Sequence, residues 1–293
     1  MGRRQRLYMW LMLFPAFFYL VTAFGLILFE MVTISLLYGP PGAEVYPSLG
    51  NYAEMLASPE FWAALRRTTV FVVIGTPLQL LVGLGLALLV HREFRLRGMV
   101  RAIFMLPIAI PSVVTAVIIS LLFSVPYGHV NDLLMGRLGW FPRLVSAPVN
   151  WYASEPLALG LALLGKTWRD MPISMLILLA GLGSISEEQY EAARTMGATS
   201  WQQFKYITVP QLVPAMASVL VLRSIEAWKE FIFPYILAPS FPVLGTLIDH
   251  AYHVAKRPSY AAALALVLVV LIAVTTGVLN RILRFLETHL VKA

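Results

Sequence analysis

The chain has 293 residues, of which 59% are hydrophobic and only 13% charged, and its formal net charge is +7. Its mean hydropathy of +0.77 is well above that of soluble domains, which need charged surfaces, so the composition excludes an ordinary soluble enzyme or binding domain. The sequence contains no cysteine, which excludes disulfides and thiol chemistry.

Apolar residues are concentrated in six long blocks. A helix needs about 20 residues to cross the hydrocarbon of a bilayer, and blocks that are apolar on nearly every face are typical of helices rather than of barrel strands. The sequence therefore predicts an all-α integral membrane protein with six transmembrane helices, in a single domain over residues 1–293 with its core at about 7–286. The blocks are Leu7–Leu37, Thr68–Val90, Ala102–Phe123, Pro156–Leu182, Leu212–Leu237 and Tyr260–Leu286.

The first block follows a basic segment, Met1–Arg6. Its apolar run is longer than the hydrophobic region of a signal peptide, and no A-x-A cleavage site follows it. We therefore expect an uncleaved first transmembrane helix rather than a segment that is removed on secretion.

The Lys and Arg residues between the blocks and near the chain termini lie mainly on one side of the predicted membrane. That side holds both termini and the loops after the second and fourth blocks. Because cytoplasmic loops carry an excess of Lys and Arg, the distribution predicts that both termini are cytoplasmic. It also accounts for the positive charge without a nucleic acid partner. These residues are Arg3, Arg4, Arg6, Arg92, Arg95, Arg97, Arg101, Arg194, Lys205, Arg281, Arg284 and Lys292.

The fourth block contains a match to a nucleotide-binding pattern. Gly160–Thr167 reads GLALLGKT and satisfies G-x-x-x-x-G-K-[ST]. A phosphate loop lies between a strand and a helix and needs free backbone N–H groups. Here the variable positions are leucine and alanine, which favour a helix whose N–H groups are already bonded. We therefore interpret the match as a coincidence and expect no ATP site on this chain.

The segment between the fourth and fifth blocks, at about 184–211, predicts two short helices that meet at a glycine. Gly197 suits the left-handed residue that ends a helix, and Pro210 is expected to limit the second helix. A compact unit of this kind transmits a push better than a flexible linker does. Capping-box spacing, which marks a helix start, occurs in two pairs, Ser186 with Gln189 and Ser200 with Gln203.

The same segment resembles the signature of the binding-protein-dependent ABC importer permeases. That signature is E-A-A, three residues, G, nine residues, then I-x-L-P, and Val209 stands here in place of the leucine. In that family the segment forms the coupling helix that enters a groove of an ATPase subunit. The resemblance therefore implies an ATPase-coupling role for the matching residues, Glu191, Ala192, Ala193, Gly197, Ile207 and Pro210.

The resemblance also implies a fold, a location and partners. The fold would be that of a type I ABC importer permease, in the inner membrane of a bacterial or archaeal cell. The expected partners are a second homologous permease subunit, two ATPase subunits that bind ATP and Mg²⁺, an extracytoplasmic solute-binding protein and membrane lipid. We expect no catalytic residue and no cofactor on this chain. We also expect no metal site, since His250 and His253 alone make a poor one.

Weaker motifs resemble the carbohydrate branch of the family, the maltose and glycerol-3-phosphate type. They are Leu49–Tyr52 before Phe61–Trp62, Leu106–Pro111, and Trp168 before Pro172. Trp228–Phe231 is more similar to the partner subunit of that branch, so the choice between the two paralogous permease roles stays open. The resemblance implies a sugar or sugar-like solute, with glycerol-3-phosphate as the non-sugar alternative.

Charged residues within the fourth and fifth blocks are a second candidate site. Each would cost about 2.5 to 3.5 kcal/mol if unpaired at mid-membrane, so they must be paired or hydrated. The spacing of three between Arg223 and Glu226, and between Glu226 and Lys229, permits pairing within a helix. The charges either clamp the helices or line the solute path. Polar anchors and aromatic faces suit a sugar, and the candidates are Trp168, Arg169, Glu226, Trp228, Lys229, Glu230 and Phe233.

Two other classes of function fit the sequence less well. A stand-alone secondary transporter would be expected to have more spans or an internal repeat, and no repeat is evident. An intramembrane enzyme would be expected to carry H-E-x-x-H, G-x-S-x-G or facing aspartates, and the sequence has none of these. An importer permease therefore fits the sequence best.

Overall fold

The structure is a computed structural model that describes residues 3–40 and 42–290. These residues form helices joined by loops, with one isolated bridge between Tyr38 and Val45 and no strand, which confirms the all-α prediction. The α-helices are α1 Arg3–Ser35, α2 Gly50–Ala57, α3 Pro59–Val70, α4 Thr76–His91, α5 Arg97–Ala109, α6 Ser112–Leu122, α7 His129–Leu134, α8 Glu155–Gly183, α9 Glu187–Thr195, α10 Ser200–Gln203, α11 Val209–Trp228, α12 Ile232–Leu237, α13 Leu244–Asp249 and α14 Pro258–Leu290. Three π-helical turns join α3 to α4, α10 to α11, and α13 to the segment before α14, at Phe71–Gly75, Phe204–Thr208 and His250–Val254.

Between four and six stretches of the described chain are long and apolar enough to cross a membrane. Two of the six are bent pairs, α5 with α6 at 98° and α8 with α9 at 64°. The four unbroken stretches are Tyr8–Ser35, Pro59–His91, Ser200–Trp228 and Pro258–Phe285.

The chain divides into two compact units. One comprises the described residues up to Phe61 together with Ile248–Val269, and the other comprises Trp62–Leu247 with the described residues from Val270 onward. Of the basic residues used to predict the orientation, Lys292 lies outside the described residues.

In the first unit, α2 is fastened to the end of α1 by Asn51. The last carbonyls of a helix have no partner within it, and the buried Asn51 Nδ2 donates to the carbonyls of Ser35 at 2.9 Å and Leu37 at 2.7 Å. The hydroxyls of Ser35 and Tyr52 also lie 2.8 Å apart. The Leu49–Tyr52 motif thus terminates α1 and sets the direction of the following loop.

An ion pair joins the two chain segments of the same unit. Arg257 donates to both carboxylate oxygens of Glu54, at 2.5 and 2.6 Å. The hydrogen bonds from this guanidinium hold the pKa of the Glu54 carboxyl below its usual value. Arg257 also lies 4.7 Å above the ring of Tyr260, so the segment before α14 is held to α2.

In the second unit, α8 is the central helix. It packs against α4, α5, α6, α11 and α12, and small residues permit the closest approaches. A Cβ added at Gly83 of α4 would lie 2.6 Å from Ser174 Cβ, and one added at Gly181 would lie 2.8 Å from Ala215 Cβ. Of the 29 residues of α8, 14 are buried, as expected for a helix that is contacted on several sides.

Two of the predicted helices are broken. The third block divides at Ile110 and Pro111, where the proline cannot donate a backbone hydrogen bond, and the chain bends by 98°. The fifth block ends as a helix at Trp228. Glu230 then accepts hydrogen bonds from the N–H groups of Phe231 and Phe233, both at 3.2 Å, and so starts the separate helix α12.

We predict that Gly83→Leu destabilises the contact between α4 and α8. A larger side chain forced into a packed interface costs about 1 to 3 kcal/mol, so the Tm of the purified protein in detergent should fall. Gly85→Leu is the matched control, because a Cβ at Gly85 meets nothing within 4 Å. Equal Tm values for the two variants would contradict the packing described here.

Candidate functional sites

The segment 184–211 begins with α9, which ends in a Schellman motif. Gly197 has a φ of +79°, the left-handed conformation that the sequence predicted. The N–H of Gly197 donates to Arg194 O at 3.0 Å and that of Ala198 donates to Ala193 O at 2.9 Å. These bonds satisfy the terminal carbonyls of α9 and turn the chain sharply.

The second helix starts one residue earlier than predicted. Its N-cap is Thr199, which forms the capping box with Gln202. Thr199 N donates to Gln202 Oε1 at 2.7 Å, and Gln202 N donates to Thr199 Oγ1 at 3.3 Å. The predicted box of Ser200 with Gln203 is therefore wrong, because Thr199 has the same spacing one residue earlier. Gln203 Nε2 instead donates to Ala198 O at 2.9 Å, across the turn.

The first predicted capping box does not form either. Ser186 is the N-cap of α9, but its side chain caps no N–H group. Gln189 Oε1 instead accepts a hydrogen bond from Gln211 Nε2, and the hydroxyls of Tyr190 and Thr208 lie 2.9 Å apart. These two contacts fasten α9 to the start of α11.

The chain stays helical through Pro210, contrary to the expectation that this residue limits the second helix. Val209 N donates to Phe204 O, five residues back, which is the hydrogen bond of a π-turn. Pro210 then falls in the first turn of α11, where a missing N–H is tolerated. As a result, Ser200–Trp228 is one continuous helical stretch.

The motif residues divide between surface and core. Exposed are Glu191, Ala192 and Gly197, whereas Ala193 is buried and Ile207 and Pro210 are partly buried. Ile207 packs against the core cluster around α8. The motif therefore supplies both an exposed surface and the residues that hold this surface in place.

Two large apolar side chains are exposed beside Gly197. Met196 is 82% exposed and Trp201 is 69% exposed, although both lie in an otherwise polar segment. Trp201 stacks on Phe204 with ring centroids 5.6 Å apart, which fixes its position. The sequence analysis did not single out these two residues; apolar side chains between two predicted polar helices were the signal that could have identified them.

A network of ionic side chains lies where α8 packs against α11. Its centre is the buried carboxylate of Asp170, which accepts hydrogen bonds from Lys166 Nζ and Arg169 Nη1, each at 2.9 Å. Arg223 Nη1 lies 3.4 Å from Asp170 Oδ2. One carboxylate of α8 thus holds two cations of its own helix and one of α11.

Two further carboxylates complete the network. Glu226 Oε2 lies 2.6 Å from Arg223 Nη1, as the spacing of three predicted, and Glu230 Oε2 lies 2.7 Å from Lys166 Nζ. Lys229 is exposed and forms no ion pair with Glu226 among the described residues. Three cations and three carboxylates are therefore joined into a neutral group.

The seven candidate path residues occupy different environments. Trp168 and Lys229 are exposed, and the side chains of Arg169 and Glu226 are partly exposed. Trp228 is buried and donates Nε1–H to Thr275 Oγ1 at 3.1 Å. Arg169 and Glu226 are therefore the accessible edge of the charge network, and Trp168 precedes Arg169 on α8.

The last two candidate path residues, Phe233 and Glu230, lie in the interior of the second unit. Phe233 is part of a core cluster with residues of α6 and α8, and Glu230 bonds Lys166 and the start of α12. The centre of the network is formed by Lys166, Asp170 and Arg223, none of which is among the seven candidate path residues. Lys166 and Asp170 are four residues apart on α8, and this spacing was the signal that could have identified them as an ion pair.

Lys166 is also the lysine of the nucleotide-binding pattern at Gly160–Thr167. Gly160–Thr167 lies within α8, so this segment is not the strand, loop and helix unit that a phosphate loop requires. Its lysine points into the ion network and is paired with two carboxylates.

Comparisons with known proteins agree on one family. Residues 79–290 match the family described as the binding-protein-dependent transport system inner membrane component. The Trehalose/maltose transport system permease protein MalF of Thermococcus litoralis is 33% identical over 197 residues, which cover 67% of this chain and 64% of that protein, slightly less than two thirds. The inner membrane ABC transporter permease protein YcjO of Escherichia coli is 30% identical over 277 residues, 92% of each chain.

A third relative and a solved structure extend the comparison. The sulfoquinovosyl glycerol transport system permease protein SmoG of Agrobacterium fabrum is 33% identical over 239 residues, 80% of this chain and 75% of that protein. A bacterial alginate ABC transporter, crystallised with an alginate pentasaccharide-bound periplasmic protein, contains a chain of similar fold. The TM-score is 0.81 at 20% identity, over 97% of this chain and 96% of that chain.

We predict that Asp170→Asn strongly destabilises the second unit. The substitution leaves three buried or partly buried cations without their shared carboxylate, and breaking a buried ion pair costs about 3 to 5 kcal/mol. The measurement is the Tm of the purified protein. Arg194→Gln is the control, since it breaks only the exposed pair with Glu187 and should cost at most about 1 kcal/mol.

We predict that Gly197→Val loosens the 184–211 segment. A branched side chain at a φ of +79° is strained by about 1 to 2 kcal/mol, so the amides of α9 should exchange with deuterium faster. Gly183→Val, at a glycine with open space and no positive φ, is the control. If the amides of α9 exchange with deuterium at the same rate in Gly197→Val as in the unaltered chain, the turn at Gly197 does not hold the segment in place.

Proposed function

The chain belongs to the family of inner membrane components of binding-protein-dependent transport systems, and we propose that it is one of two solute-conducting permease subunits of an ATP-driven importer. The second permease subunit would be homologous. Two ATPase subunits bind ATP and Mg²⁺, and an extracytoplasmic binding protein delivers the solute. This chain contributes no catalytic residue and needs no cofactor of its own.

One observation carries this proposal: the 184–211 segment is a capped unit that exposes two apolar side chains, which we call its exposed apolar tip. Its two helices are joined by a Schellman motif and a capping box and are bonded to α11. Met196 and Trp201 are exposed on it. Apolar anchors held in a fixed position are typical of residues that dominate a protein interface, and here the partner is an ATPase subunit.

The proposed topology has six spans with both termini in the cytoplasm. The four unbroken stretches and the two bent pairs contain the spans, whereas α9 and the start of the Ser200–Trp228 stretch project from the membrane. Basic residues on the side of the termini support this orientation. The 184–211 segment is then cytoplasmic, on the side where ATP is available.

The proposed solute is a sugar or a sugar-like molecule. Two of the relatives are named as permeases for trehalose or maltose and for sulfoquinovosyl glycerol. The accessible edge of the charge network offers hydrogen-bonding groups on Arg169 and Glu226, and the exposed Trp168, next to Arg169 in the chain, offers an aromatic face. Since the network as a whole is neutral, it favours an uncharged solute over a phosphorylated one.

The test is a reconstituted importer that contains this chain, its partner permease, the ATPase subunits and the binding protein. We predict that Trp201→Ala lowers both the copurification of the ATPase subunits and ATP-dependent uptake. Loss of a central interface tryptophan costs about 2 kcal/mol or more, which is about thirtyfold in affinity. Uptake is measured with trehalose, maltose, xylose and arabinose.

Trp140→Ala is the matched control, because Trp140 is also highly exposed but lies in the loop between α7 and α8. It should leave the ATPase subunits bound. If Trp201→Ala retains them as well as the unaltered chain does, the 184–211 segment is not the ATPase contact. Uptake driven by an ion gradient without ATP would indicate a secondary transporter instead.

A further inference from the structure

Several buried polar groups of the second unit have no partner among the described residues. Helix hydroxyls in this unit usually donate to a carbonyl of their own helix, as Thr68 does to Ala64 at 2.8 Å and Ser218 does to Pro214 at 2.9 Å. The Ser174 hydroxyl is an exception, and Gln79 Oε1 and the Nε and Nη2 atoms of Arg223 also have no partner among the described residues. Gln79 is 1% exposed, and Ser174 and Arg223 are 0% exposed, so bulk solvent does not satisfy them.

Gln79 faces α8. It lies four residues from Gly75 and four from Gly83, and residues spaced in this way share a helix face. A Cβ at Gly75 would lie 2.7 Å from a methyl group of Leu163, and one at Gly83 would lie 2.6 Å from Ser174 Cβ. Gln79 is therefore directed at the part of α8 between those two contacts, near its middle.

Arg223 reaches the same part of α8 from α11. Its Nη1 lies 3.4 Å from the carboxylate of Asp170 and 2.6 Å from that of Glu226, which leaves Nε and Nη2 without partners. Ser174 follows Asp170 by one helical turn, and α4, α8 and α11 all pack against one another. Gln79, Ser174 and Arg223 thus belong to the three helices that pack against one another in this part of the unit, which we call the three-helix junction.

The unpaired groups at this junction are chemically complementary but are not bonded to one another. Gln79 offers an acceptor, Arg223 offers donors, and Ser174 can be either. A buried polar group without a partner is destabilising, and a single hydroxyl group can donate to the glutamine while accepting from the arginine. The positive charge of Arg223 is already balanced by two carboxylates, so an anionic ligand is not required.

We propose that the junction of Gln79, Ser174 and Arg223 is a binding site for a hydroxyl group. The hydroxyl belongs either to the transported sugar or to a resident water molecule, which present the same chemistry. The first source rests on the proposed function, and the second does not. Gln79 would then place α4 beside the solute path, which the sequence analysis assigned only to α8, α11 and the segment after it.

Gln79→Leu tests the proposal, because a leucine of similar volume cannot accept a hydrogen bond. If nothing binds Gln79, removing an unsatisfied buried amide should raise the Tm of the assembled importer. If a hydroxyl binds there, the Tm should fall. The control is Thr68→Val, whose hydroxyl is bonded within the chain to Ala64 and Leu244, so its Tm should fall equally with and without sugar.

The two sources are distinguished by measuring with and without the sugar that the unaltered importer takes up from the panel of trehalose, maltose, xylose and arabinose. A lower Tm of Gln79→Leu without sugar indicates a resident water. A loss of the sugar-induced Tm shift, with the KM for uptake raised about tenfold, indicates a solute hydroxyl. Ser174→Ala is a smaller change that should not disturb folding. It should change the Tm and the KM in the same direction as Gln79→Leu does.

The proposal is overturned if Gln79→Leu raises the Tm or leaves it unchanged in both conditions while the KM for uptake stays the same. If the unaltered importer takes up no sugar of the panel, the proposed sugar function fails. The measurement without sugar then decides by itself whether the junction binds a hydroxyl. Failure of the site and failure of the function are therefore distinguishable.

Discussion

The structure of the second unit depends on one constraint: charged groups within an apolar helix bundle must find their partners inside the protein. Asp170 meets this constraint for three cations at once, and Glu226 and Glu230 balance the remaining charge. Because these contacts reach from α8 to α11 and to the start of α12, they set how the central helices pack. The accessible edge at Arg169 and Glu226 is held by the same bonds.

The helices that carry this network are the two helices that flank the 184–211 segment. α8 is continuous from Glu155 to Gly183, and the stretch from Ser200 to Trp228 is helical throughout. The segment between them is capped at its turn and bonded to α11. A displacement of the exposed tip would therefore pass along stiff helices to the charge network, without a flexible linker that absorbs it.

The breaks in the predicted spans have specific causes. Pro111 separates α5 from α6, and Glu230 takes the N–H groups that start α12 after the end of α11. By contrast, Pro210 interrupts nothing, because a π-turn precedes it and the proline falls in the first turn of α11. Whether a proline ends a helix depends on where the adjacent hydrogen bonds start, and those bonds form only when the chain packs.

The sequence by itself determined the fold class, the apolar blocks and the left-handed turn at Gly197, because these follow from local composition and spacing, and the resemblance of its 191–210 motif indicated the family. Only the tertiary structure decided which carboxylate holds which cation and where α12 begins. It also decided that Thr199 rather than Ser200 caps α10, and that Arg223 of α11 lies beside Asp170 of α8. Such choices depend on contacts between residues far apart in the chain or on competition between adjacent residues, and single-helix periodicity contains no information about either.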